Sequence, residues 1–154
     1  MVEWLLAAAL HFPDIEARDL NGRERRIGEL AGAPCVVALG FSYDSRRQIE
    51  PWTKQILRET DGRLPVIVMP VLRGVPAALR RVVEGAMAAA TPGNLRPYAW
   101  TTSDSDRLRQ SLGLGASGEA AIVLLDGATS VRFVARGEPT PTAVRGLIDA
   151  WRGF

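Results

Sequence analysis

Residues 34–52, PCVVALGFSYDSRRQIEPW, leave few folds open. The first part, Cys35 to Phe41, is an unbroken apolar run, which predicts a strand buried on both faces. A short polar turn, Ser42 to Ser45, follows it. The helical spacing of Ile49, Trp52, Ile56 and Leu57 then predicts a helix over about 46–60, with Asp44 or Ser45 as N-cap. In α/β proteins the carboxyl end of a central strand, facing a helix N-terminus, is where sites form. The first candidates for function are therefore Ser42, Tyr43, Asp44, Ser45, Arg46 and Arg47. None of them is a nucleophile with a base beside it.

The rest of the chain extends this pattern. Residues 4–10, WLLAAAL, read as a short amphipathic helix or the remnant of a clipped leader; Glu3 before them and the lack of a basic residue argue against a signal peptide. Ile15 and Ala17 alternate with charges, which predicts a short edge strand, and Asn21-Gly22 predicts a turn. Ile27 and Leu30 make a helical or 3₁₀ turn leading into the central strand. Asp61-Gly62 stops the first long helix. Residues 64–72, LPVIVMPVL, predict a second buried strand parallel to the first, which leaves its ladder at Pro70. After Pro76 a helix should carry Leu79, Val82, Val83 and Met87 towards the core and Arg80, Arg81 and Glu84 away from it. Residues 91–97 read as a loop and Pro97 to Thr102 as an extended piece. Asp104 or Ser103 should cap a helix containing Leu108 and Leu112, closed by Gly113. Ala120 to Leu125, a turn at Asp126-Gly127, and Val131 to Ala135 form a hairpin. Thr140 or Thr142 starts the last helix, with Val144, Leu147, Ile148 and Trp151 on one face. The predicted order β-β-α-β-α-α-β-β-α implies a three-layer α/β architecture: a mixed central sheet with flanking helices, in a single domain over residues 1–154.

Composition removes several function classes. The net charge of +2 is spread along the chain and gives no argument for nucleic acid. With one cysteine, Cys35, there is no internal disulfide and no CxxC couple. With one histidine, His11, there is no His-rich metal centre, and Asp104 and Asp106 read as helix-start acids without a second acidic cluster. Gly113 and Gly115 do not follow a strand, so they form no dinucleotide loop. No metal or cofactor is expected. No apolar run reaches the roughly 18 residues that span a membrane, and a cytoplasmic location is favoured.

Three stretches resemble the thioredoxin-like superfamily in its peroxiredoxin or TlpA-like form. FPDIEARDLNGRERRIGELAGAPCVVALGF resembles that family's N-terminal extension and first core strand. SDSDRLRQSLGL resembles a later helical segment, and AAIVLLDGATSVRFVARGEPTPTAVRGLIDAW its closing hairpin and helix. The family's redox CxxC would fall within residues 42–46, which read Ser42, Tyr43, Asp44, Ser45 and Arg46. Its cis-proline would precede the last hairpin, where Glu119, Ala120 and Ala121 stand. The resemblance thus implies the fold without the disulfide chemistry, since no residue there can carry a mixed disulfide. A narrower resemblance, resting on Trp52, Asp126, Arg132 and Gly137, is to the mitochondrial ATP synthase assembly factors built on a degenerate thioredoxin fold. It implies a chaperone or binding role.

The resulting expectation is a non-catalytic module that binds a protein or peptide through Ser42 to Arg47 and the loop Ser117 to Ala120, with Glu119 and Ala120 included. Two alternatives stay open. One is a thiol peroxidase or reductase acting through Cys35, although that residue sits at a strand start without a helix N-terminus or cations to lower its pKa. The other is a small-anion site at Arg46 and Arg47, whose positive charges oppose the helix dipole.

Overall fold

The computed structural model describes residues 10–154. The expected first helix and Trp4 lie outside the described residues. The central strand β3 (Cys35–Gly40) is the spine, as its apolar run requires. It pairs in parallel with β4 (Val66–Pro70) and antiparallel with β6 (Ala121–Leu125), which in turn pairs with β7 (Val131–Arg136), giving the order β4-β3-β6-β7. Alternation along β3 feeds two cores. Cys35, Val37 and Leu39 enter one, with Phe12, Ile15 and Trp100 and with Leu108 and Leu112 of α3 (Ser105–Leu112). Val36 and Ala38 enter the other, with Ile49, Trp52 and Ile56 of α1 (Ser45–Thr60) and Leu147 of α4 (Pro141–Arg152). A fully buried side chain of this kind contributes about 1.5–3 kcal/mol.

A second, three-stranded sheet has the order β2-β1-β5, from β1 (Glu16–Asp19), β2 (Glu24–Arg26) and β5 (Trp100–Thr101). Two parallel bridges, Val68 to Ala99 and Val71 to Thr102, join it to the β4 edge. The Ile15–Ala17 segment is therefore the middle strand of this sheet and not an edge. Strand β2 has no sequence signal, because Glu24-Arg25-Arg26 carries no apolar alternation; pairing with β1 creates it. Residues Gly93–Tyr98 form a 3₁₀ helix where a loop is expected.

The helix ends follow local chemistry. Asp61 takes a left-handed conformation at the end of α1, as the Asp-Gly stop predicts. Thr140 accepts the Ala143 N–H at 3.1 Å and caps α4. The start of α1 differs from expectation: Asp44 precedes the helix but makes no side-chain cap. Helix α2 (Ala77–Ala90) departs furthest. No residue in it is buried, and Leu79 and Val82 are 54% and 66% exposed. Among the described residues no helix is long and apolar enough to cross a membrane.

Candidate functional site

The site begins where β3 runs out. Gly40 ends the strand against the first turn of α1, where a Cβ would sit 2.9 Å from Ser45 Oγ, so a side chain has no room. Ser42 then does what Asp44 and Ser45 were expected to do. Its Oγ accepts the Ser45 N–H at 3.2 Å, while Ser45 Oγ donates to the Ser42 carbonyl at 2.6 Å. These two serines are three residues apart and lie within the stretch 42–46, where the resemblance implies a CxxC pair. Both hydroxyls are engaged with backbone, and neither hydrogen-bonds a base. Ser42 Oγ also donates to the Gly118 carbonyl at 2.9 Å, which ties the helix start to the loop before β6.

That loop is held from several sides. Arg109 of α3 donates through Nη1 to the carbonyls of Gly115 (2.9 Å) and Ser117 (2.6 Å), and its guanidinium lies 4.1 Å from the Phe41 ring centroid. Ser117 and Glu119 bond each other, side chain to side chain and side chain to backbone. The Ala120 N–H, at the place where the family's proline would offer no donor, is taken by Gln48 Oε1 at 2.7 Å. No cis peptide bond occurs among the described residues. Behind Gln48, one turn along α1, Trp52 donates its indole N–H to the Gly137 carbonyl at 2.9 Å, and the Gly137 N–H donates to the Ala120 carbonyl at 2.9 Å. Gly137 has φ +74, the left-handed region that favours glycine, and its Cα lies beside the Glu119 carboxylate. Gln48 had no sequence signal, because its partner is a backbone group 72 residues away.

The expected site residues divide into two sets. Ser45 and Ala120 are buried and hold the loops in place. Ser42, Tyr43, Asp44, Arg46, Arg47 and Glu119 are exposed. Tyr43 is 80% exposed, with the Arg46 guanidinium 5.9 Å from its ring centroid. The aromatic face gives Arg46 a favourable contact that offsets part of its conflict with the helix dipole.

Cys35 lies elsewhere, buried in the first core, and burial pushes its thiol up to about 11. A thiolate there is scarce at neutral pH, which disfavours nucleophilic chemistry at Cys35. In native protein Cys35 should resist an aromatic disulfide reagent and react at once in denaturant. The unfolded thiol ionises near 9, whereas the folded one holds its proton until about 11. Stability from this group is therefore complete below pH 9 and declines as pH rises through that window, by up to about 3 kcal/mol. Urea midpoints of Cys35→Ala against wild type between pH 8 and 11 check this; parallel curves would refute it.

The four residues behind the narrower resemblance form two structural pairs. Trp52 bonds Gly137 as described, and Arg132 Nε donates to Asp126 Oδ2 at 2.7 Å. Desolvation pushes the Asp126 carboxyl up, but Arg132 and the N–H groups of Ser130 and Ala128 more than offset it and hold the pKa below its ordinary value. Asp126 thus closes the β6–β7 turn. His11 Nδ1 lies 3.3 Å from Ser130 Oγ at the same end of the hairpin.

The fold so defined is thioredoxin-like. No family model matches the chain, and no curated protein does. Solved structures do. The thioredoxin domain of thiol-disulfide oxidoreductase BVU-2223 from Bacteroides vulgatus is 16% identical, with a TM-score of 0.60 over 97% of this chain and 99% of that one. BsSco, a member of the Sco family of cytochrome c oxidase assembly proteins, is 11% identical, with a TM-score of 0.62 over 95% of this chain and 96% of that one. ScoI of Bradyrhizobium japonicum, with copper bound, is 17% identical, with a TM-score of 0.57 over 95% of this chain and 100% of that one. At these identities the likeness is one of fold. A soft-metal site needs converging thiolate or imidazole ligands. Among the described residues no three of His, Cys, Asp and Glu converge so as to hold a metal ion.

Proposed function

We propose that this chain is a single-domain, non-catalytic thioredoxin-fold module that binds a protein or peptide partner. The contacts would come from the face left by the lost redox centre: Tyr43, Arg46 and Arg47 with Ser42, Asp44 and Glu119 around them. The observation that carries the reading is Tyr43, a large aromatic turned into solvent at 80% exposure on a loop whose backbone is fixed. Rigid Tyr and Arg side chains are the usual anchors of protein contacts. Ser42 bonding to Gly118 and Gln48 bonding to Ala120 prearrange both loops, which lowers the ordering cost of association. An assembly role is supported by two likenesses: to BsSco, a member of the Sco family of cytochrome c oxidase assembly proteins, and to the ATP synthase assembly factors.

The test is affinity capture from the source organism's extract. Wild type is compared with a Tyr43→Ala, Arg46→Ala, Arg47→Ala variant whose fold is checked by circular dichroism. A partner retained by wild type and reduced at least tenfold on the folded variant is the expected result. Equal retention by both would move the interface to another surface, and no retention by wild type would remove the binding reading.

A further inference from the structure

Helix α2 follows its own pattern only in part. Its apolar Val83 and Met87 are half-buried as that pattern expects, but Leu79 and Val82 face solvent while Arg80 and Glu84 are half-buried beside them. Ala77, Arg80, Arg81 and Glu84 recur at the 0, 3, 4, 7 spacing of one helix face. That face lines a cavity of about 300 Å³ whose other wall is the β2-β1-β5 sheet. Charged groups half-buried while two apolar side chains of the same helix stay in solvent are a departure from folding logic of the kind that marks a functional surface.

The charges in the cavity are unevenly distributed. On the sheet wall Glu16 stands opposite Arg26 and Arg18 opposite Glu24 in the antiparallel register, so positive and negative groups alternate. Arg25 is committed to Asp19 at 2.8 Å. The surplus positive charge comes from the helix, where Arg80 and Arg81 stand with Glu84. Arg80 Nε is shielded from solvent and has no hydrogen-bond partner. A guanidinium stays charged at all relevant pH values, so Arg80 brings to the cavity wall a charge that no hydrogen bond or ion pair among the described residues answers. The first turn of α2, which no side chain caps, borders the same cavity through Ala77. Guanidinium donors beside a helix N-terminus suit an oxyanion. The volume is at the small end of ligand pockets, too small for a folded partner.

We infer that this cavity binds the phosphoryl group of a small phosphorylated molecule, with Arg80 and Arg81 as its principal donors. A phosphoryl group accepts hydrogen bonds on several sides at once, as donors from a helix face and a helix end demand, whereas a carboxylate is planar. The site shares no residue with the Tyr43 face.

Thermal unfolding of the full chain tests this, with inorganic phosphate, glycerol 2-phosphate and succinate titrated at ionic strength held constant with sodium chloride. A ligand that binds only the folded state raises Tm with concentration. Both phosphates should raise Tm saturably, and Arg80→Gln or Arg81→Gln should weaken the apparent affinity at least tenfold. The Arg46→Ala, Arg47→Ala variant should respond as wild type does. Tighter saturation by the ester would identify a phosphate monoester as occupant; tighter saturation by inorganic phosphate would identify the free ion. Arg81 is exposed, so its variant is expected to fold even if the Arg80 variant does not, and calorimetric titration of wild type needs no variant. A response no larger than that to succinate or chloride, or one unchanged in Arg81→Gln, would overturn the assignment.

Discussion

Trp52→Ala is expected to lower stability by about 3–5 kcal/mol, the range for deleting a buried aromatic. Trp52 has no exposed surface, and its indole N–H satisfies the Gly137 carbonyl at 2.9 Å. For a chain of this size the loss corresponds to a fall in Tm of roughly 10–20 °C. Trp52→Phe separates the two contributions, since it keeps most of the bulk and leaves the carbonyl unpaired at a cost of about 1–3 kcal/mol. Urea unfolding of both variants measures this. A phenylalanine variant as stable as wild type would show that the hydrogen bond carries no weight. Because Gly137 in turn bonds Ala120, a folded Trp52→Phe protein should also loosen the loop at Ser117 to Ala120, detectable as faster amide exchange there.

The second large effect is at Asp19. Its side chain is fully buried and accepts the N–H of Asn21 (2.9 Å), the N–H of Arg23 (3.0 Å) and Arg25 Nε (2.8 Å). Asp19→Ala strands all three donors and is expected to cost about 3–5 kcal/mol, the range for breaking a buried pair from one side. The pH dependence has a definite sign. Desolvation raises the Asp19 pKa, but the Arg23 N–H, the Arg25 side chain and the Asn21 N–H outweigh it and leave the pKa below the ordinary value of 3.8. The contribution is therefore present above about pH 4 and fades as pH falls through the lowered pKa. Asp19→Asn should flatten the acid limb of the stability profile, and an unchanged limb would contradict the assignment. Arg25 also lies over Trp100, 5.6 Å from its ring centroid, so the same substitution should disturb the β1–β5 pairing.

What the sequence revealed depended on which interactions were local. The β3–α1 unit was readable because an apolar run, a polar turn and a helical repeat lie within 20 residues. The β6–β7 hairpin was readable for the same reason. Strand β2 was not, because Glu24-Arg25-Arg26 becomes a strand only when β1 offers its edge. The exposure of α2 was hidden because an amphipathic repeat says that one face is apolar, not that anything covers it. At the candidate site, Ser42 to Arg47 are legible as the turn and helix start that follow a strand end. Gln48 is not legible because its partner lies across the fold at Ala120, and Ser42 is not legible as the residue that meets the Ser45 N–H because it stands before the expected caps, Asp44 and Ser45, and is held there by Gly118. The residues of the narrower resemblance, Trp52 with Gly137 and Asp126 with Arg132, turned out to brace the scaffold.

The two hydroxyls of Ser42 and Ser45 have a consequence for where such a protein can work. A dithiol exists in two covalent states, and its surroundings decide which one a partner meets. A pair of serines has one state, and the remaining thiol, Cys35, is shut inside the core. The proposed contact face is therefore the same surface under oxidising and reducing conditions. Its occupancy follows the concentration of its partner, and the electrochemical potential of the compartment does not enter.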